Sequence, residues 1–192
     1  MQMLHAGGLP VIRDTDSWSY ETDLVTRLPA DSAWLADCRG KAVKLLDPHR
    51  WTPPPGLPYR FIWMQRNPKE QAKSQVKFLK RLQQEQQHNI HYPAIWPSQY
   101  MRLVTSRDVP NFRKQIQFDM RRCVSILESY RRPWLRVRFE SVLKHPTLVA
   151  DNVSRFCGGL DVEAMVTCVR KRPVHCVPGM LEYEQEEGGN KV

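Results

Sequence analysis

The run Arg66-Asn67-Pro68 has the chemistry of an anion-binding site, and Ser74 follows eight residues after the arginine. An arginine side chain presents a planar set of N–H donors that matches phosphate or sulfate, and a hydroxyl adds one more donor. Proline favours the first turn of a helix, and the positive end of a helix dipole attracts anions. The spacing therefore predicts an anion site made of a loop arginine, a helix N-terminus and a helical hydroxyl.

Cys168, His175 and Cys176 lie close together in the sequence and are candidate metal ligands. A tetrahedral structural site needs four ligands, and no second pair of cysteines or histidines has matching spacing. We therefore predict no metal site.

A cluster of basic residues is interleaved with the aromatic residues Tyr130 and Trp134. Its members are Arg121, Arg122, Arg131, Arg132, Arg136 and Arg138. Such a cluster could hold a nucleic-acid backbone, and the commoner alternative is an ordinary solvated helix face.

Hydrophobic periodicity predicts the elements that position these residues. The nearly unbroken apolar run at 59–65 predicts a strand that is buried on both faces. A segment rich in Lys, Gln, Glu and Leu predicts a helix from Pro68 to about Gln87. The other predicted elements are helices at 1–7, 31–38, 110–130, 147–157 and 162–171, and strands at 9–12, 42–46 and 135–139.

Strands alternate with helices along the chain, which predicts a three-layer α/β fold with a mainly parallel sheet. Ligands of such sheets bind beyond the carboxyl ends of the strands, here just after Gln65 and Phe139. No internal repeat is evident. We predict one domain over residues 1–180 and an acidic flexible tail at 181–192.

The composition of the 192 residues is that of a globular protein, with 41% hydrophobic residues and a formal net charge of +9. No apolar stretch reaches the roughly 20 residues that a membrane span needs, and the N-terminus lacks the pattern of a signal peptide. The positive charge indicates an anionic partner. Five scattered cysteines without a C-x-x-C motif favour reduced thiols and a cytoplasmic location.

The segment IWMQRNPKEQAKSQVKF resembles the sulfotransferase superfamily, whose members use 3′-phosphoadenylyl sulfate (PAPS). In that family a strand ends in R-[DN]-P, and a serine eight residues after the arginine joins it in binding the 3′-phosphate. Arg66 and Ser74 match both positions. Other segments resemble the family too: FESVLKHP with VSRFCGG, GKAVKLL, and MLHAGGLPVIRD with SYE, the last in a bacterial branch. The resemblance covers roughly residues 1–158.

The resemblance implies a P-loop NTPase-like fold and a set of site residues. The implied cofactor-binding residues are Arg66, Ser74, Phe139 near the adenine, and Arg170 in a basic segment that closes over the 3′-phosphate. The implied catalytic residues are Glu21 as the base, His49 as the second candidate base, and Lys44 as a cation beside the transferring group.

Two departures from the family pattern accompany the resemblance. The 5′-phosphosulfate loop P-[RK]-S-G-T is absent, so we expect the chain to begin just downstream of it, without the first, central strand. Leu46 stands where cytosolic members carry a catalytic histidine.

We therefore expect a sulfotransferase that moves a sulfuryl group from PAPS to a hydroxyl or amine acceptor, without a metal. PAPS and its bisphosphate product are the expected nucleotide partners, no membrane partner is expected, and we expect little activity from this chain alone. The alternative is a non-catalytic basic α/β module that binds nucleic acid or another polyanion.

Overall fold

The computed structural model describes residues 1–12, 32–45, 48–50, 52–87 and 104–169. The helices in these ranges are α1 (Gln2–Ala6), α2 (Pro68–Gln87), α3 (Val109–Ser129), α4 (Phe139–Lys144), α5 (Pro146–Cys157) and α6 (Val162–Thr167). The strands are β1 (Val11–Ile12), β2 (Ala42–Val43), β3 (Phe61–Gln65) and β4 (Trp134–Arg138). The same ranges contain two short 3-10 helices, Ala33–Cys38 and Ser106–Asp108.

Internal contacts divide the chain into two compact units. The first comprises Met1–Gln65 with Arg121–Lys171, and the second comprises Arg66–Met120 with Arg172–Val192. The prediction of one domain over residues 1–180 followed by a tail stays a prediction.

The described strands of the first unit form two parallel pairs. β1 pairs with β2, with Val11 opposite Ala42, and β3 pairs with β4, with Phe61 opposite Trp134. Mixed helix and parallel strands are compatible with the predicted α/β class. The three-layer P-loop arrangement stays a prediction.

The core of the first unit lies among α1, β4 and the helices that follow β4. The buried residues of this cluster are Leu4, Val137, Val142, Val149, Ala150, Val153 and Met165. β4 alternates as a half-buried strand should: Leu135 and Val137 pack on this core, whereas Arg136 and Arg138 are exposed. The predicted alternation of this strand is therefore confirmed.

The expectation that β3 is buried on both faces is wrong. None of its five residues is fully buried, and Met64 is 49% exposed. Ile62 packs against the core of the first unit, while Phe61 lies against the rings of Tyr59 and Tyr130. The unbroken apolar run reflects a strand whose two faces are each partly covered.

The long helices agree with their sequence patterns. α2 has the predicted bounds, and α3 begins and ends one residue before its predicted limits. Phe139, the last residue of the strand predicted at 135–139, is instead the first residue of the helix α4, which has Glu140 in its first turn. An acidic side chain there interacts favourably with the helix dipole. Within the described ranges, no helix is both long and apolar enough to cross a membrane.

Candidate functional site

The candidate anion site begins where β3 ends. β3 ends at Gln65, Arg66 and Asn67 form a two-residue link, and α2 starts at Pro68. The Oδ1 atom of Asn67 accepts hydrogen bonds from the backbone N–H groups of Lys69 at 2.9 Å and Glu70 at 3.4 Å. Asn67 therefore caps α2, and proline occupies the first turn, where a missing N–H costs little.

This cap decides which groups could hold an anion at the start of α2. The first amides of a helix have no partner within the helix and are the usual anion donors. Here two of these amides already donate to Asn67, and Pro68 has no N–H. An anion at this place would therefore depend on side chains, foremost on the half-buried Arg66.

Ser74 lies two turns into α2 and is 4% exposed. Ala72, Val76 and Leu79 form the buried apolar stripe of the helix, and Ser74 lies about 200° around the axis from Ala72. Both faces of α2 are therefore covered at this level. The hydroxyl has little surface for a phosphate oxygen in this conformation, so side chains around it must move before a phosphate reaches it.

Glu70 places a carboxylate one turn before Ser74, on the same side of the helix. Its Oε1 atom accepts a hydrogen bond from the Lys73 ammonium group at 3.0 Å. Its Oε2 atom is buried and has no hydrogen-bond partner among the described residues. The negative charge opposes an anion near Ser74, and the ion pair with Lys73 offsets part of that repulsion.

Three other predicted site residues lie in the first unit. Lys44 follows β2 directly, and Phe139 is the first residue of α4, directly after β4; both are half-buried. His49 is half-buried, and its Nδ1 atom lies 3.6 Å from the thiol of the buried Cys123. One ring nitrogen of His49 therefore contacts a buried thiol on α3, a contact that sequence reasoning missed.

The remaining predicted site residues, Glu21 and Arg170, lie outside the described residues, as do His175 and Cys176 of the rejected metal group. The structure brings Arg66 and Ser74 into one unit and Lys44, His49 and Phe139 into the other. Within the described ranges, no three His, Cys, Asp or Glu side chains are grouped so that they could hold a metal ion.

Three of the four described thiols do not have the environment of nucleophiles. Burial raises the pKa of the Cys38, Cys157 and Cys168 thiols above the ordinary value, and for Cys157 the nearby Arg60 opposes the rise only in part. Since the thiolate is the reactive form, a raised pKa makes these side chains poor nucleophiles at neutral pH.

The basic cluster is exposed, and the aromatic side chains interleaved with it have internal contacts. Tyr130 packs edge-on against Tyr59, and its hydroxyl donates to the carbonyl oxygen of Pro53. The Arg136 guanidinium lies over the Trp134 ring, 5.2 Å from its centroid. One face of the Trp134 ring is therefore occupied by Arg136, and the Tyr130 ring packs against other rings of the protein.

Comparison of the chain with models of known protein families gave no match. Comparisons with curated proteins and with solved structures gave no match either.

Proposed function

We propose that this chain is a sulfotransferase domain that binds the 3′-phosphate of PAPS mainly through Arg66. The reaction would transfer a sulfuryl group to a hydroxyl or amine and leave the 3′,5′-bisphosphate. The location of Arg66 carries the proposal: it directly follows the carboxyl end of a parallel strand and precedes a capped helix. Ligands of α/β proteins bind at this place.

The remaining roles follow from the family resemblance, and they fit the chemistry of the transfer. A base must take the acceptor's proton, and cations must stabilise the charge on the sulfuryl oxygens. We assign Glu21 as the base and Lys44 as the cation. His49 ranks second as a base because its Nδ1 atom already contacts Cys123. Phe139 and Arg170 would contact the adenine and the 3′-phosphate. The proposed location is the cytoplasm.

Ser74 has a smaller role in this proposal than the sequence alone indicates. The hydroxyl is nearly buried, and the Glu70 carboxylate is one turn away. The guanidinium of Arg66 keeps its charge at every physiological pH and can donate two parallel hydrogen bonds to a phosphate. We therefore expect Arg66 to contribute more to the binding of the 3′-phosphate.

The first test is calorimetric titration of Arg66→Ala. Charge-assisted hydrogen bonds contribute about 1.5–3 kcal/mol, so affinity for adenosine 3′,5′-bisphosphate should fall about tenfold or more. Affinity for adenosine 5′-monophosphate, which lacks the 3′-phosphate, should hardly change. Arg113→Ala, which removes an exposed arginine of α3, is the matched control and should leave both affinities unchanged. Equal losses for both nucleotides in Arg66→Ala would contradict the assignment.

A nucleic-acid function has less support from the described residues. The aromatic side chains near the arginines are engaged within the protein, Tyr130 by Pro53 and Trp134 by Arg136. Proteins that bind single strands stack bases on open aromatic faces.

A further inference from the structure

One edge of β4 pairs with no strand among the described residues. On the other edge, the Phe61 N–H donates to the Pro133 carbonyl oxygen at 3.1 Å, which fixes the side that faces β3. Backbone groups of successive strand residues point alternately to opposite sides. The N–H and C=O groups of Trp134 and Arg136 and the N–H of Arg138 therefore point to the free edge, where no described strand pairs with them. The carbonyl of Arg138 is the N-cap carbonyl of α4 and accepts within that helix.

A groove of about 260 Å³ runs along this edge. Its walls include Arg136 and Arg138 of β4, Ser141 of α4, and Leu148, Val149 and Asn152 of α5. The lining includes Leu135 and Val137 from one face of β4 and Arg136 and Arg138 from the other face. The groove therefore follows the edge of the strand rather than one face. Leu148 is 61% exposed at its wall and offers apolar surface to an occupant.

The positive charges that line the groove favour an acidic occupant. Arg136 and Arg138 lie two residues apart, on one face of β4, and both are exposed. Neither guanidinium forms an ion pair with a described residue, and the contact with Trp134 holds Arg136 beside the strand. A second copy of β4 would bring arginines opposite arginines, which is unfavourable. An acidic strand would meet them with opposite charge.

We propose that an extended acidic peptide segment of a partner protein adds to the free edge of β4. Its backbone hydrogen-bonds to the N–H and C=O groups of Arg136 and to the N–H of Arg138, as in other cases of strand addition. Acidic side chains at alternate positions of the peptide pair with the two guanidinium groups. The apolar side chains between them pack on Leu148 and Val149.

The probe is the labelled peptide Ser-Glu-Val-Glu-Val-Glu-Ser, titrated against the full chain by fluorescence anisotropy at physiological salt. The double variant Arg136→Glu/Arg138→Glu should weaken binding by about tenfold or more. The matched control Arg121→Glu/Arg132→Glu changes net charge equally at exposed arginines outside the groove and should change binding by about twofold or less, since such charges are screened.

A second set of measurements needs no variant of the protein. The same peptide with N-methyl groups at alternate backbone nitrogens should bind far more weakly, because it cannot complete the strand pairing. On binding, hydrogen exchange should slow at the Arg136 and Arg138 amides but not at those of Leu135 and Val137, which face β3. Equal binding of the N-methylated peptide, or unchanged exchange at Arg136 and Arg138, would overturn the proposal. So would a single-stranded oligonucleotide that binds through these two arginines while the peptide does not bind.

Discussion

At the residue scale, Asn67 determines how the candidate anion site can work. Its side chain accepts from two amides at the start of α2, so these amides stabilise the helix and are not left for a ligand. The interaction with an anion then depends on the neighbouring Arg66. Two adjacent residues therefore have different roles: Asn67 caps the helix, and Arg66 is the proposed binding residue.

Replacement of Asn67 tests this division of roles. Asn67→Ala removes the cap and should lower the free energy of unfolding by about 1 kcal/mol, because two amides lose their acceptor. Asn67→Asp keeps an acceptor oxygen and adds a charge that the helix dipole favours, so stability should be retained. Urea denaturation of the two variants measures the difference. Equal loss of stability in both would show that the Asn67 side chain does not cap α2.

At the element scale, the end of α1 approaches α6 closely at Gly7. A Cβ atom on Gly7 would lie 2.7 Å from Cγ and 2.9 Å from Sδ of Met165, a side chain that is completely buried. Gly7 has φ −74°, a value open to any residue. Glycine is therefore required here by the contact with α6 and not by the backbone conformation.

Gly7→Ala should consequently destabilise the first unit by overpacking, at a cost of about 1–3 kcal/mol. Met165→Ala should cost about 2–5 kcal/mol through the cavity that it leaves. The double variant should lose less than the sum of the two single losses, because the alanine methyl at position 7 occupies part of that cavity. Thermal or urea unfolding of the unmodified chain, the two single variants and the double variant completes this double-mutant cycle. Additive losses would place Gly7 and Met165 in separate environments.

At the scale of the whole molecule, the net charge of +9 favours anionic partners of every size. Salt dependence separates them. A polyanion that binds through many phosphate or sulfate contacts loses affinity steeply as salt rises, whereas a single nucleotide makes few such contacts.

We expect the affinity for adenosine 3′,5′-bisphosphate to fall only modestly between low and physiological salt. Heparin or an oligonucleotide should show a much steeper loss in the same buffers. Parallel titrations at three or more salt concentrations give, for each ligand, the slope of the logarithm of affinity against the logarithm of salt concentration. A steep slope for the nucleotide, equal to that of heparin, would favour non-specific charge attraction over a defined 3′-phosphate site.

The sequence by itself determined the elements whose signals are local. The bounds of α2 follow from its proline and its helix-forming composition, and the alternation of β4 follows from the period of two in a strand. The sequence also predicts that Arg66 directly precedes α2 and that Ser74 lies inside it, because both positions follow from the local helix signal.

Tertiary structure alone decided the features that depend on residues far apart in the chain. The pairing of β3 with β4 leaves β3 partly covered and leaves the outer edge of β4 open among the described residues. Ser74 is buried on the side of α2 opposite its apolar stripe, and His49 contacts Cys123 across 74 residues of sequence. No local pattern encodes these outcomes, because burial and contact are set by the neighbours that folding brings together.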